Sequence, residues 1–264
     1  MSRWIVSNVP SWLLLLGLVV FVAGGAVLVQ AYVRHRFPGL KEDEHNDVTR
    51  FAYGVVAFVY AFFVGFVVSV MWGQINAADA KARTEGAVAV QMARDLTVFD
   101  KADSDRIRQN LLDYERAAVV EWPLATRDRS FPEADKALAR VYTAYEQVLP
   151  RTDTQKTFLA ASFTNLGNIS QARTERLIQA RTDVGTPWPC WAIILLTSAL
   201  VLGGAIIYGV DSPARHYPMV AIVGVLVAAI LFLILELSNP FVGEISTSPE
   251  PLREAIQVLS QSPS

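Results

Sequence analysis

Phe58, Phe62 and Phe66 recur at four-residue spacing within an apolar run, with Tyr60 and Phe63 beside them. Residues four apart share one face of a helix, so the three rings make a stripe. Several such stripes arranged around an axis form a hydrophobic constriction that gates a pore by dewetting. A single stripe also suits helix packing or lipid contact. Glu236 is the one ionisable residue inside the charge-poor runs of the chain. A carboxylate in a membrane is costly and points to function; in the last turn of its run it also suits a solvated group or one paired with an arginine. Arg34 and Arg36 follow the first apolar run, where basic side chains raise the anion concentration at a pore mouth. Residues 41–47 read KEDEHND, and their four carboxylates offer oxygen ligands to a hard cation, or simply a solvated loop. Within that string His45, Asn46 and Asp47 precede the second run, and Asn46 or Asp47 suits a helix cap.

Other chemistry is missing. The sequence contains no glycine-rich phosphate loop, no G-x-S-x-G and no H-E-x-x-H. Nothing assembles a nucleophile with a base, so an enzyme is not expected. The single Cys190 excludes an internal disulfide, and His35, His45 and His216 lie far apart in sequence. No metal site and no cofactor is expected. A net charge of −2 leaves no electrostatic footprint for nucleic acid.

The elements that must carry these residues are four apolar runs, at 12–33, 51–73, 188–208 and 218–237. Each is about 20 residues, the length that crosses a hydrocarbon core of about 30 Å as a helix. In lipid the backbone must satisfy its own hydrogen bonds, so the runs are helical. Overall 52% of residues are hydrophobic and 18% charged, against roughly 25% charged in soluble domains. Trp4, Trp12, Trp72, Trp188, Trp191 and Tyr217 lie near the ends of the runs, where aromatic rings favour the headgroup level. The first run is too long, and lacks the small-residue site, for a cleaved signal peptide. Paired glycines, Gly24-Gly25 and Gly203-Gly204, offer places for helices to approach closely.

Four spans put both tails and residues 74–187 on one side. The short segments opposite carry Arg34, Arg36, Lys41, Arg50 and Arg215, which favours an external 74–187 domain. Lys81, Arg83, Arg173, Arg176 and Arg181 pull the other way.

The 74–187 region is expected to be helical and exposed to water. An alanine-rich stretch extends the second run as one rod to about Phe99. A break at 100–105, with Asp103 or Ser104 as cap, leads to a helix ended by Trp122-Pro123. A further helix spans 133–148. Thr152-x-x-Gln155 is a capping-box pattern that opens a long one. About four helices suggest an antiparallel bundle. After the last run, Asn239-Pro240-Phe241 breaks the helix, and Ser248-Pro249-Glu250 reads as cap, first helical proline and acidic first turn. The short apolar face of Leu252, Ala255, Ile256 and Leu259 fits the membrane surface or the large domain. The domains expected are therefore 1–73, 74–187, 188–237 and the tail 238–264, in an all-α polytopic membrane protein.

Several strings along the chain resemble the bestrophin-like family of bacterial and plant membrane proteins, defined by a domain of unknown function. They are His45-Asn46-Asp47-Val48, Trp72, Glu121-Trp122-Pro123, Arg173-x-x-Arg176-Leu177, Asn239-Pro240-Phe241-x-Gly243 and Ser248-Pro249-Glu250-Pro251-Leu252. The resemblance covers nearly the whole chain in order. Ser238 stands where that family leads us to expect an aspartate. The resemblance implies a cell-membrane protein in the lipid bilayer, assembled as a homo-oligomer and passing small anions. The calcium-binding acidic cluster of animal bestrophins has no match here, so calcium gating is not implied. Fold kinship does not fix function. A membrane-anchored helical-bundle sensor or scaffold, acting through a partner protein and without a pore, is the alternative.

Overall fold

The computed structural model describes residues 2–37, 46–125, 131–182, 186–207 and 213–261, and within these ranges the protein is all helical. The α-helices are α1 (Ser2–Asn8), α2 (Ser11–Arg36), α3 (Asn46–Asp95), α4 (Lys101–Ala125), α5 (Pro132–Glu146), α6 (Asp153–Thr182), α7 (Trp188–Ile207), α8 (Pro213–Leu237) and α9 (Glu250–Ser260). A 3-10 turn, Leu96–Val98, finishes α3. The four helices α2, α3, α7 and α8 are long and apolar enough to cross a membrane. Contacts divide the chain into two compact units. Residues 1–74 and 184–246 form the first, and 75–183 with 247–264 the second.

In the first unit α2 and α8 lie antiparallel and are joined at both ends by polar side chains. Ser11 Oγ, at the start of α2, donates to Glu236 Oε1 near the end of α8 at 3.0 Å. Gln30 Nε2, in the penultimate turn of α2, lies 2.8 Å from His216 Nδ1 near the start of α8. Between these ends the backbones touch: a β-carbon on Gly224 would lie 2.7 Å from Ala23 Cα. The glycine that allows this approach is Gly224, not Gly24, Gly25 or Gly203, where a β-carbon would meet nothing. Gly204 makes room for the Tyr53 ring. Helix α7 buries Ile194, Ser198, Val201 and Ala205 along one stripe. The tryptophans Trp4, Trp12, Trp72 and Trp188 are exposed; Trp12 and Trp188 lie at the starts of α2 and α7, whereas Trp72 lies midway along α3.

The second unit contains the later part of α3 together with α4, α5, α6 and α9. Ile75, Ala78, Ala82, Glu85, Ala89, Met92 and Leu96 are all buried, at spacings of three and four. The small alanines let neighbouring helices come close. Helix α6 presents Ser162, Leu166, Ile169, Arg173, Arg176 and Ala180 at the same spacing. The C-terminal α9 packs on α4 and buries Leu252, Ala255 and Leu259.

Several helix ends differ from expectation. The second run does continue as a rod through Val98. The break after it is only two residues, because α4 starts at Lys101. Ser104 does not cap α4 but donates its hydroxyl back to Leu96 O at 2.9 Å, and Asp103 pairs with Arg106. Pro123 lies inside α4 rather than ending it: it removes one i→i−4 bond, and only Leu124 and Ala125 of α4 follow it. Similarly α8 starts at Pro213, five residues before Pro218. At α9 the N-cap residue is Pro249, with no side-chain cap, so Ser248 does not play that part. Of the Thr152 capping box one bond forms and the reciprocal one shifts to the preceding residue. Gln155 N–H donates to Thr152 Oγ1 at 3.1 Å, while Gln155 Oε1 accepts from Arg151 N–H at 2.7 Å.

Candidate functional site

The phenylalanine stripe of α3 lies open. Phe58 and Phe62 are each 72% exposed and Phe66 64%. Their uncovered state follows from how α3 packs within the first unit. Tyr60 and Val64 face inward, and the Tyr60 hydroxyl sits 3.2 Å from Ser198 Oγ of α7. That fixes the rotation of the helix, so the face carrying Phe58, Phe62 and Phe66 turns away, together with Phe51, Val55 and Val59. Phe63 is half-buried. A face this apolar needs a cover of lipid or protein.

Glu236 is not a solvated carboxylate. It is 1% exposed, with Ser11 Oγ on Oε1 and the Glu244 backbone N–H donating to Oε2 at 3.3 Å. The turn that brings this N–H around depends on Gly243, whose φ of 104° suits glycine alone. A β-carbon there would also lie 2.6 Å from Glu236 Oε2. Asn239, Pro240 and Phe241 are buried in the same turn, with Val242 N–H donating to Asn239 O at 3.1 Å. Ser238, in place of the expected aspartate, is buried and engaged: its hydroxyl contacts Ile234 O at 2.5 Å and Thr186 Oγ1 at 2.7 Å. A neutral hydroxyl there requires no buried counter-charge.

Arg34 is half-buried with Nη1 3.4 Å from His216 Nδ1, whereas Arg36 is exposed and lies over the Phe37 ring at 5.4 Å. Of the two, Arg36 is the one open to solvent. His45 and the rest of the 41–45 string lie outside the described residues, as do the side chains of Asn46 and Asp47; α3 begins at Asn46.

In the second unit Arg176 and Trp122 form the centre of a buried charged cluster. Arg176 Nε donates to Glu85 Oε2 at 3.0 Å and Nη2 to Glu85 Oε1 at 3.2 Å. Its guanidinium lies 4.8 Å from the centre of the Trp122 ring, a cation–π contact. The Tyr114 hydroxyl donates to Glu85 Oε1 at 2.7 Å. Arg173, one turn before Arg176, binds Glu121 through two nitrogens at 2.9 and 2.6 Å and reaches the exposed Asp135 at 2.8 Å. Burial, the largest single effect, works against the Arg176 charge, but Glu85 with Tyr114 and Glu121 together outweigh it and the net push on that pKa is upward.

Glu115 is also fully buried, and neither carboxyl oxygen has a hydrogen-bond partner. Burial first, then the Glu85 charge, pushes its pKa well up, with Arg176 opposing. Both effects favour the neutral acid. Sequence reasoning singled out Arg176 and Trp122 but missed Glu85, Glu115 and Tyr114. Glu85 did carry a signal: it interrupts a run of alanines on the face that buries Ala78, Ala82 and Ala89. An acid on a buried face requires a partner.

Comparison with known proteins gives three results. A family model described as the Bestrophin-like domain matches residues 20–252. No curated protein sequence matches. Among solved structures, a single-substitution variant of a bacterial bestrophin homologue from Klebsiella pneumoniae superposes with a TM-score of 0.68 at 14% identity, covering 92% of this chain and 99% of that one. A second variant of that homologue gives 0.66 at 14% identity, over 91% and 97%. A structure described only as a membrane protein gives 0.69 at 13%, over 92% and 99%. At these identities the likeness establishes the fold alone.

Proposed function

Because the chain belongs to the bestrophin-like family, we propose that this multi-pass membrane protein is a homo-oligomeric channel for small anions. In this reading α3 helices from several copies surround the pore, which narrows where Phe58, Phe62 and Phe66 face the axis. The observation that carries it is the open phenylalanine face of α3, set by the inward Tyr60–Ser198 contact. Narrow apolar rings exclude water and so hold a pore closed without a plug. Aromatic ring edges carry partial positive charge, which tolerates a partly dehydrated anion better than a cation. Arg36 serves as the basic residue that concentrates anions at the mouth.

Glu236 belongs to the packing of α2 against α8 in this reading, not to the pore wall. The family-motif residues Trp122 and Arg176 hold the second unit together. That residues 74–187 lie on the external side rests on the arginines of the short segments opposite.

The deciding experiment is chloride flux into proteoliposomes containing purified protein, with empty vesicles and Glu236→Ala as controls. Flux above the empty vesicles, from a closed ring in mild detergent, supports the channel. A verified oligomer without flux supports the sensor or scaffold instead, and directs the search to a partner protein.

A further inference from the structure

The second unit contains a groove between α3 and the first turns of α9, with a volume of about 550 Å³. Small-molecule sites typically occupy roughly 300–1,000 Å³. Its two walls are fixed against each other. Gly86 of α3 lies directly against Pro251 of α9, and a β-carbon there would collide with the Pro251 carbonyl. The buried side chains of Leu252, Ala255 and Leu259 hold α9 on α4. The groove is therefore preformed, and a ligand does not have to order it.

Among the described residues, five charged side chains line the groove, and three of them are already paired. Arg83 Nε donates to Asp79 Oδ2 at 2.7 Å. Glu250 Oε2 accepts from Arg253 Nη1 at 2.9 Å. The other two are Arg94 on the α3 wall and Glu254 on the α9 wall, both exposed. Among the described residues neither side chain has an ion pair or a hydrogen bond, and they do not pair with each other. Ala87, Val90 and Pro251 supply an apolar part of the lining. A simple anion here meets repulsion from three carboxylates, and a simple cation meets it from Arg83 and Arg94. A molecule with one charge of each sign beside an apolar group satisfies both walls. The guanidinium fork matches a carboxylate, and the Glu254 carboxylate accepts from an ammonium.

We propose that this groove binds a neutral α-amino acid with an apolar side chain: its carboxylate on Arg94, its ammonium on Glu254 and its side chain against Ala87, Val90 and Pro251. The site stands whether or not the protein conducts. Both charges are open to water, which screens them, so the affinity is modest.

Saturation-transfer NMR on the full chain in lipid nanodiscs tests this, with L-leucine as the probe and empty nanodiscs as the control. Leucine is expected to bind saturably below about 10 mM. Two analogues of similar shape each lack one charge: leucinamide keeps the ammonium and 4-methylpentanoate keeps the carboxylate. Each is expected to bind about tenfold more weakly than leucine. Arg94→Gln and Glu254→Gln are each expected to weaken leucine binding about tenfold as well. Both side chains are exposed and unpaired, so neither change is expected to disturb the fold. No leucine binding at about 10 mM would overturn the proposal. So would an analogue that binds as tightly as leucine, or a variant with unchanged affinity. Should a variant fail to fold, the comparison of the three probes needs the wild-type protein alone and still decides.

Discussion

Arg176 and Glu85 form a two-bond ion pair in which neither side chain reaches solvent, at 1% and 0% exposure. Removing either partner alone leaves a charge in the core. Glu85→Ala is expected to destabilise the protein by about 3–5 kcal/mol. Replacing both, as Glu85→Leu with Arg176→Met, removes both charges and is expected to recover most of that loss. Thermal melting of Glu85→Ala and of the double variant in one detergent measures it. A double mutant no better than Glu85→Ala would mean that Tyr114 and Glu121 cannot adapt to an apolar neighbour.

Glu115 gives a pH dependence of definite sign. Its folded pKa lies well above the ordinary carboxylate value of 4.5. The unfolded chain therefore gives up this proton at a lower pH than the folded one. Its stabilising contribution is complete below the unfolded value and is lost as pH rises through the folded value. Glu115→Gln removes the titration, so melting temperature against pH is expected to be flatter in the variant above about pH 4.5. Parallel curves for variant and wild type would count against a neutral Glu115.

Gly243 is expected to resist substitution for two separate reasons. Its φ of 104° is strained for any β-carbon, and that carbon would press on Glu236 Oε2. Gly243→Ala is expected to cost at least about 1–3 kcal/mol from backbone strain alone. Glu236→Ala removes the oxygen that a β-carbon at 243 would meet but leaves the backbone strain untouched. Comparing the melting of the two single variants with the double separates the clash from the strain. A smaller penalty for Gly243→Ala in the Glu236→Ala background would identify the clash.

The channel reading makes a sharp statement about α3. Phe62→Ala with Phe66→Ala is expected to raise basal anion conductance in planar bilayers, because the narrowest apolar ring is widened. A folded double mutant with unchanged conductance would exclude these rings as the gate.

Leu149 is 82% exposed and follows α5 in the second unit. A cysteine placed there in a Cys190→Ser background reports the side of the membrane. Labelling of intact cells by an impermeant maleimide is expected if residues 74–187 are external; labelling only after lysis would reverse the orientation.

The membrane helices were legible because lipid imposes a crude rule: about 20 residues without charge. Positions along α3 were also legible, since Phe58, Phe62 and Phe66 share a face at fixed spacing whatever surrounds them. What covers or uncovers that face was not, because it depends on Tyr60 meeting Ser198 some 138 positions away. The burial of Glu236 was missed for the same reason. Its donors come from Ser11 and from the Glu244 backbone, and no local pattern links 11 with 236. Glu115 sits at an ordinary spacing on a helix with many other charges, and only packing separates it from its solvated neighbours.

The pairing of α2 with α8 constrains how the chain is made. Helix α2 leaves the ribosome well before α8, with Ala23 and Gly224 separated by some 200 residues of sequence. Until α8 arrives, Ser11 lacks Glu236 and Gln30 lacks His216. A nascent α2 therefore waits in the bilayer with polar groups whose native partners have not yet been synthesised. Its anchorage during that interval depends on its apolar length alone. Chains stopped before residue 213 should be those that quality-control proteases recognise, by the same uncovered polar groups that later clamp the finished pair.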